Sequence, residues 1–406
     1  MTEKNNTPEL RFPNYENSWF SYKLNDISER VARKNKNLES QRPLTISGQL
    51  GLIDQIEYFN KSVSSKNLTG YTLIKKGEFA YNKSYSNGYP LGAIKKLERY
   101  DLGILSSLYI CFSFNENIDK NFMKNYFEST KWYREVANIA VEGARNHGLL
   151  NIPVNDFFNI NINLPIQYEQ EKIGKFFSKL GQQIELEEKK LELLEQQKKG
   201  YMQTIFSQEL RFKDENGNNY SNWEKVKFNY FMSKPNKLEK GKDIQKDQLL
   251  TVKLQGNGVC KANINRALKL GSTVYYKRFT GQFIYGKQNF FNGAFGIVPD
   301  DLNCFYSSGD VPALNLDNNK ITNDYFINYI SRKDYYKKKE AFSTGTGSKR
   351  IHEDTLLEFD IMLPSIEEQN KIGNFFNKLH ELIEIQSSKV ELLEERKKGL
   401  LQKMFV

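Results

Sequence analysis

Cysteine and histidine are both scarce in this 406-residue sequence, with three residues of each type. The cysteines (Cys111, Cys260 and Cys304) are far apart and odd in number, so we predict neither a disulfide framework nor a CxxC metal-binding knuckle. A reducing, cytoplasmic environment is therefore expected. The histidines show neither HxxxH nor HExxH spacing, so the sequence predicts no metal site.

Long apolar runs are missing as well. No stretch approaches the roughly 18 apolar residues of a membrane span, and the first residues, Met-Thr-Glu-Lys-Asn-Asn, lack the apolar core of a signal peptide. We therefore expect neither a membrane span nor secretion. The sequence also contains no GxGxxG dinucleotide loop and no motif like the Asn-Pro-Pro-Tyr of adenine methyltransferases. These absences argue against a DNA-modifying enzyme that is complete in one chain.

What the sequence does have is an excess of positive charge. It contains 59 Lys and Arg residues against 49 Asp and Glu residues, a formal net charge of +10. Blocks 164–206 and 363–406 are each neutral, with seven positive and seven negative residues, so the excess falls on the rest of the chain. A basic surface permits a polyanionic partner such as nucleic acid. The alternative is a lysine-rich surface without such a partner, as AT-rich bacterial genomes produce.

The sequence repeats itself at an interval of 199 residues. Aligned without gaps, residues 164–206 and 363–405 are identical at 23 of 43 positions. A shorter element, Glu-Leu-Arg-Phe, occurs at 9–12 and again at 209–212. The chain is therefore predicted to consist of two similar halves, each a variable block followed by a repeated one.

The repeated blocks are predicted to form long helices. Their seam residues recur with alternating spacings of four and three, and the blocks are rich in Glu, Lys, Gln and Leu, which favour helices. Such a heptad seam indicates that the two helices pack on each other; the alternative is that each packs only on its own half. The predicted seam consists of Leu180, Ile184, Glu187, Leu191, Leu194 and Lys198 in the first helix and Leu379, Ile383, Gln386, Val390, Leu393 and Lys397 in the second.

The direction of this packing follows from the pairing of seam residues. In one antiparallel register every apolar seam residue faces another, and Glu187 meets Lys397. A parallel pairing would stack Lys198 beside Lys397 and would need a long return connection. We therefore predict an antiparallel coiled coil, with its polar seam residues fixing the register.

The variable blocks read as mixed α/β. Short apolar or alternating runs lie between turns rich in Gly, Asn and Ser, which is typical of strands. Strands are predicted to begin near Tyr71, Glu78, Leu108, Gln282 and Phe359, and helices over 120–137 and 322–340. The predicted fold class is α+β with a pseudo-twofold internal repeat: two mixed α/β domains at 1–163 and 209–362, and helical spacers at 164–208 and 363–406.

Two loop segments in each half are candidates for DNA contact. Lys, Arg, Asn, Gln and Ser side chains can reach base edges, and a glycine turn that carries cations could hold a phosphate. The equivalent loops differ in sequence between the halves, as loops that read different base sequences should; the alternative is ordinary polar turns. The candidates are Lys83, Ser84, Ser86, Asn87, Arg145 and Asn146 in the first half and Lys287, Gln288, Asn289, Asn292, Lys349 and Arg350 in the second.

The duplicated Leu-Pro-x3-Glu-Gln-x-Lys-Ile-Gly-x-Phe-Phe blocks, at 164–177 and 363–376, resemble those of the specificity subunit of type I restriction–modification systems. The resemblance implies two target recognition domains, each reading half of a bipartite site in double-stranded DNA. It implies two modification (adenine methyltransferase) subunits as partners and, for cleavage, restriction subunits. S-adenosylmethionine, Mg and ATP would then be bound by those partners, and this chain would be non-catalytic, without a cofactor of its own.

Two other functions remain open at this stage. A stand-alone sequence-specific DNA-binding regulator with a coiled-coil spacer would share the architecture and bind DNA fully without a partner. A purely structural coiled-coil scaffold would explain the repeats but not the positive charge of the variable blocks. Copurification with a methyltransferase separates the specificity subunit from the regulator.

Overall fold

The computed structural model describes residues 6–61, 64–65, 67–85, 88–140, 150–242, 244–263, 273–345 and 348–406. The chain forms two compact units. Unit 1 comprises Met1–Lys189 together with Ser387–Val406, and unit 2 comprises Lys190–Gln386. Each unit therefore combines one variable block with segments of both repeated helices. The predicted boundaries between variable and helical segments stay predictions.

The variable block of unit 1 consists, where described, of short strands and short helices. Its strands are β1 (Phe20–Lys23), β2 (Ser28–Arg30), β3 (Leu44–Ser47), β4 (Gly51–Asp54), β5 (Thr72–Lys75), β6 (Phe79–Asn82), β7 (Ala93–Lys96), β8 (Leu102–Leu105), β9 (Tyr109–Phe114) and β10 (Asn161–Leu164). Its helices are α1 (Leu24–Ile27), α2 (Gln55–Phe59), α3 (Lys120–Glu128), α4 (Tyr133–Ile139) and α5 (Val154–Phe158), and the long helix α6 (Gln167–Phe206) follows.

The variable block of unit 2 repeats this sequence of elements. Its strands are β11 (Glu224–Lys227), β12 (Met232–Ser233), β13 (Leu250–Val252), β14 (Val259–Lys261), β15 (Tyr275–Lys277), β16 (Phe283–Tyr285), β17 (Phe295–Ile297), β18 (Tyr306–Ser308), β19 (Ala313–Leu316) and β20 (Asp360–Leu363). Its α-helices are α7 (Asn323–Ile330), α8 (Lys333–Lys338) and α9 (Glu353–Leu357), followed by the long helix α10 (Ile366–Lys403). Short 3-10 helices lie at Phe228–Tyr230, Lys246–Gln248, Phe290–Asn292, Asp300–Leu302 and Lys339–Phe342.

The strands pair in the same order in both units. The central antiparallel sheet has the order β2-β9-β6-β7 in unit 1 and β12-β19-β16-β17 in unit 2. The pairs β1-β10, β3-β4 and β5-β8 recur as β11-β20, β13-β14 and β15-β18. Because each strand has its counterpart ten strands later, the internal repeat extends through the variable blocks. The predicted α+β fold with two equivalent sheet domains and two long helices is confirmed.

Each of the two predicted shorter helices is interrupted. The first is split into α3 and α4, and the second into α7 and α8. In unit 1 the break turns Trp132 into the core, where it is fully buried and its indole N–H donates a hydrogen bond to the carbonyl of Phe127 at 3.0 Å. Burial of one large aromatic side chain thus outweighs the helical preference of the surrounding residues.

The Glu-Gln pair at the start of α6 joins three segments of unit 1. The fully buried carboxylate of Glu169 accepts hydrogen bonds from Nε and Nη2 of Arg11, both at 2.7 Å. The side chain of Gln170 accepts from the backbone N–H of Asp119 at 3.1 Å and donates to the carbonyl of Pro165 at 2.9 Å. A buried carboxylate is stable only with such charged partners.

The same bonds recur at the start of α10 in unit 2. Arg211 donates to Glu368 at 3.2 and 2.6 Å, and the indole N–H of Trp223 adds a third hydrogen bond at 2.9 Å. Gln369 accepts from the backbone N–H of Thr322 at 2.8 Å. Both repeated elements therefore have one structural role: the arginine of Glu-Leu-Arg-Phe pairs with the glutamate of Glu-Gln.

Helices α6 and α10 run antiparallel in unit 1. Phe177 packs on Phe405 with 5.7 Å between ring centroids, and further along α6 the carboxylate of Glu187 lies 2.5 Å from Nζ of Lys389. From Phe177 to Glu187 the residue number rises along α6, whereas the number of the contacting residue falls from 405 to 389 along α10. The two helices therefore run in opposite directions, as predicted. Within the described residues, no helix combines the length and apolarity needed to cross a bilayer.

The predicted register of the helix pair is wrong. Glu187 was expected beside Lys397 but pairs with Lys389, eight residues earlier, and Nζ of Lys397 lies 3.9 Å from the position that a β-carbon on Gly181 would occupy. A shift by one repeat still places seam positions opposite seam positions, although the polar seam residues then face apolar ones, so periodicity alone leaves several registers open. Aromatic contacts beyond the predicted seam, such as that of Phe177, select one of them.

The Glu-Leu-Arg-Phe elements occupy equivalent places at the ends of the long helices. In unit 1 the backbone N–H of Leu10 donates to the carbonyl of Lys403 at 2.9 Å, and in unit 2 the N–H of Leu210 donates to the carbonyl of Thr204 at 3.0 Å. Lys403 and Thr204 are themselves 199 positions apart. Residues 9–12 therefore lie against the end of α10 in the same way as residues 209–212 lie against the end of α6.

This equivalence predicts that the chain tolerates circular permutation. A variant that joins Val406 to Asn6 through a short Gly-Ser linker, and opens the chain between Ser207 and Gln208, should fold with a melting temperature within a few degrees of the parent. It should also keep the DNA preference of the parent, because each new end replaces an existing connection at an equivalent place. Thermal unfolding and DNA binding measure both. A folded permutant that has lost DNA recognition would contradict the prediction.

Candidate nucleic-acid interface

Equivalent backbone hydrogen bonds lie beside the candidate loops of the two units. In unit 1 the backbone N–H of Leu150 donates to the carbonyl of Lys83 at 2.9 Å. In unit 2 the N–H of Ile351 donates to the carbonyl of Lys287, also at 2.9 Å. Each bond joins the segment after β6 or β16 to the segment before α5 or α9. In unit 2 this bond places the two candidate segments side by side; the second candidate segment of the first half, with Arg145 and Asn146, lies outside the described residues.

The candidates of unit 1 are only partly described. Lys83 and Ser84 are half-buried, and the backbone N–H of Ser84 donates to Oδ1 of Asn82 at 3.1 Å. The adjoining Tyr85 is 62% exposed, so an aromatic face also lies at this surface. Outside the described residues lie Ser86, Asn87, Arg145 and Asn146.

Arg350 in unit 2 is held by side chains from other segments. Its Nη2 lies 3.4 Å from Oδ2 of Asp310, and its side chain is 38% exposed. When the Gln288 amide is oriented with its oxygen toward Arg350, that oxygen accepts hydrogen bonds from Nη2 at 2.8 Å and Nε at 3.3 Å, and from Oγ of Ser348 at 3.3 Å. This orientation gives each donor an acceptor and is the one that the hydrogen-bond network selects.

The two candidate lysines of unit 2 are both in ion pairs. Nζ of Lys287 lies 3.1 Å from Glu353, and this lysine is only 16% exposed. Nζ of Lys349 lies 2.8 Å from Glu340, but Lys349 is 58% exposed. The hydrogen bond from Lys349 lowers the pKa of the Glu340 carboxyl. Since a surface ion pair exchanges partners at little cost, Lys349 is better placed to contact a phosphate than the covered Lys287.

Asn289 and Asn292 bind each other and a lysine. Nδ2 of Asn292 donates to Oδ1 of Asn289 at 3.1 Å, and Oδ1 of Asn292 accepts from Nζ of Lys337 at 2.8 Å. An asparagine that reads adenine uses its amide oxygen and nitrogen together. Both side-chain oxygens already accept one hydrogen bond within the protein, so each has one acceptor site left for a base.

Sequence reasoning missed two residues that shape this surface, Asp310 and Arg278. Arg278 is 2% exposed; its Nε donates to Oγ of Ser307 at 2.6 Å and its Nη2 to the carbonyl of Val311 at 3.0 Å. Burial lowers the pKa of Arg278 to about 10. These bonds clasp the turn after β18 that carries Asp310. No periodicity or motif marks a single buried arginine, so only the tertiary structure identifies it.

The two units present different chemistry at equivalent positions. Cys111 and Ala313 occupy matching places in the central sheets, since they pair with Ala80 and Ile284. Three residues before each lie Leu108 and Asp310. Leu108 is 56% exposed, so unit 1 presents an apolar side chain where unit 2 presents a carboxylate.

The twelve predicted seam residues are all buried or half-buried on the long helices. Burial lowers the pKa of the two seam lysines, Lys198 and Lys397. A lysine in the seam therefore costs stability, which fits a role in limiting the partners and registers that the helices accept.

The helices also carry exposed apolar residues outside the seam, each two residues after a seam residue. In unit 1 these are Leu186 and Leu392, which are 68% and 66% exposed. In unit 2 they are Leu193 and Ile385, at 49% and 65%. When two helices pack antiparallel, the same heptad position on each helix lies on the same side of the seam between them. Each unit thus has one apolar pair on that side.

Known proteins resemble both the sequence and the fold. Residues 221–395 match the family described as the Type I restriction modification DNA specificity domain. The type I restriction enzyme MjaVIII specificity subunit of Methanocaldococcus jannaschii is 24% identical over 334 residues, which are 73% of this chain and 69% of that protein.

Two solved structures share the architecture over nearly their whole length. The S subunit of a type I restriction-modification system from M. genitalium has a TM-score of 0.56 at 15% identity, covering 98% of this chain and 99% of that chain. A chain from a study of complex assembly and conformational transition of the type I R-M system has a TM-score of 0.51 at 16% identity, covering 95% and 97%. Residues 221–395 and the duplicated motifs are thus similar in sequence to specificity subunits of type I restriction–modification systems, and the solved structures share the fold of this chain.

Proposed function

We propose that this chain recognises a bipartite site in double-stranded DNA and directs adenine methylation and restriction by partner subunits. The observation that carries the proposal is the duplicated fold with different side chains at equivalent positions. Ser84 and Leu108 of unit 1 correspond to Gln288 and Asp310 of unit 2. Two domains of one topology with different surface chemistry suit two half-sites of different sequence.

Charge supports DNA as the ligand. The repeated blocks are neutral, so the net charge of +10 belongs to the rest of the chain, where the candidate loops lie. Phosphate contacts by such lysines and arginines supply affinity that is independent of sequence, and contacts to base edges supply the specificity.

The exposed apolar pairs support partner subunits. Leu186 with Leu392, and Leu193 with Ile385, lose contact with water only when another protein covers them. We assign each pair to one modification subunit, so two equivalent pairs correspond to two copies. Catalysis, with S-adenosylmethionine and with Mg and ATP for restriction, then belongs to the modification and restriction subunits, and this chain is non-catalytic.

Copurification tests the function and the docking surface together. The chain, coexpressed with the modification subunit of its own system, should bring down two copies, and the complex should bind a bipartite site. The double variant Leu186→Glu/Leu392→Glu should retain only one copy, because two buried charges would have to lose water. Native mass spectrometry counts the copies.

A matched control places the same charges four residues earlier on each helix, at positions further from the seam. Gln182→Glu/Ser388→Glu also adds two carboxylates to exposed sites on both helices, and it should still bind two copies. If the wild-type chain binds its site with full affinity and brings down no modification subunit, it is a stand-alone regulator instead. If both double variants lose one copy, the effect is one of charge and the assigned surface is wrong.

A further inference from the structure

We propose that Arg350 reads a guanine in one half-site and that Gln288 and Asp310 are positioning residues that aim it. The inference rests on the proposed function, since it names the base that this surface of unit 2 recognises. Arginine pairs with guanine by donating two hydrogen bonds to O6 and N7 in the major groove. Arg350 has the two properties that this contact needs: its side chain is partly exposed, and other side chains of the protein hold it in place.

The donors of Arg350 suffice for both tasks. Its contacts with Gln288 and Asp310 involve Nε and Nη2. A guanidinium has five N–H donors, and the end-on contact with O6 and N7 takes one from Nη1 and one from Nη2. The bond from Nη2 to Gln288 can stay, while the base replaces the long contact of 3.4 Å between Nη2 and Asp310. The side chain of Arg350 is 38% exposed.

Charge distinguishes a base contact from a phosphate contact. Asp310, beside Arg350, is itself 54% exposed. A carboxylate next to the arginine repels a phosphate and weakens contact with the DNA backbone. It opposes hydrogen bonds to O6 and N7 of a neutral base less strongly, because these atoms carry only partial negative charges. The pairing of Arg350 with Asp310 therefore favours the major-groove edge of a base.

The support of Arg350 is rigid. Its own backbone makes two hydrogen bonds of 2.9 Å with Thr344, one in each direction. The carbonyl of Asp310 accepts from the backbone N–H of Lys287 at 2.9 Å, and Arg278 clasps the turn from below through Val311. A side chain held in place before binding loses less conformational entropy on contact, which strengthens discrimination.

The other candidates of unit 2 are less suited to reading a base. Lys287 is covered and paired with Glu353, and the amide oxygens of Asn289 and Asn292 accept hydrogen bonds within the protein. Gln288 could read adenine only with its oxygen free, but that oxygen accepts from Arg350. The hydrogen-bond pattern thus singles out Arg350 as the reader.

The test is selection of bound sites from random duplex DNA by the full-length chain in complex with its modification subunit, followed by sequencing. The wild-type motif should contain a G·C pair whose preference falls about ten- to hundredfold in Arg350→Ala. Every other position, including the whole of the other half-site, should be unchanged. Asp310→Asn and Gln288→Leu should relax the same position to a smaller extent. Lys349→Ala, at the exposed neighbouring lysine, should lower total binding without changing the motif.

Each result decides the inference. An Arg350→Ala motif identical to that of the wild type overturns it and leaves the bipartite recognition standing. If the alanine variant does not fold, Arg350→Gln decides by the same measurement: a change from G·C toward A·T at one position supports the inference, and an unchanged G·C preference overturns it. A wild-type complex that selects no bipartite motif overturns the proposed function, and the inference with it.

Discussion

Replacement of Phe405 by alanine is expected to destabilise unit 1 by about 3–5 kcal/mol and to leave unit 2 nearly unchanged. Phe405 is 1% exposed, and its ring packs against those of Phe122, Phe177 and Tyr126 at centroid distances of 5.2, 5.7 and 6.0 Å. All three partners belong to the first half of the sequence. Truncation of the ring removes apolar contacts and leaves a cavity that rigid neighbours cannot fill.

Hydrogen exchange read out by mass spectrometry can assign this loss to one unit. Peptides from residues 20–164 should lose protection in Phe405→Ala, whereas peptides from 224–363 should keep it. The matched control is Phe206→Ala at the equivalent position, whose ring lies 5.3 Å from Tyr329 and 5.8 Å from Phe376. It should produce the opposite pattern. Loss of protection in both variable blocks of the Phe405 variant would contradict the assignment of α10's last turns to unit 1.

The substitution Glu169→Ala is expected to cost about 3–5 kcal/mol of the free energy of unfolding of unit 1. The carboxylate is fully buried, and its two hydrogen bonds of 2.7 Å neutralise Arg11, which is itself 13% exposed. Removal of the acid leaves the guanidinium covered and unpaired, which is the costly outcome. For a unit of about 200 residues, a loss of this size lowers the melting temperature by roughly 10 °C.

Two further variants separate the ion pair from a general effect on α6. Glu171→Ala removes an exposed carboxylate two residues later and should change stability by less than about 0.5 kcal/mol. The double variant Arg11→Met/Glu169→Leu should be more stable than Glu169→Ala, because no charge is then buried without a partner. Thermal and urea unfolding measure all three. Equal losses in Glu169→Ala and Glu171→Ala would show that the buried pair has no special importance.

The candidate loops show how far residue type alone can predict a site. The segments Gly77–Lys83 and Gly281–Lys287 are similar in sequence and precede equivalent loops, and both glycines adopt positive φ, at 87° and 79°, in the turns before β6 and β16. Residue type could not distinguish the residue that we propose to read a base from the residues that position it. Lys287, Gln288 and Arg350 are all polar residues on loops, and only the structure shows that Lys287 is covered in an ion pair with Glu353 and that Gln288 is bonded to Arg350.

Local periodicity and internal duplication were enough to predict two long heptad helices, their antiparallel direction and two α+β blocks of one topology. The same reading of the sequence predicted no membrane span and found no enzyme motif. Hydrophobic spacing reports which face of an element is buried, so these features can be derived without knowing what covers that face.

The pairing of segments that are far apart in sequence could not be predicted and is known only from the folded chain. Arg11 pairs with a glutamate 158 positions away, Lys389 rather than Lys397 holds Glu187, and Phe405 belongs to the core of the unit that contains Trp19. The turn that carries Asp310 depends on Arg278, which no pattern marks. The physical reason is the same in each case. Several pairings satisfy the apolar pattern about equally, and the choice among them depends on the fit of individual aromatic rings and on the need of each buried charge for a partner.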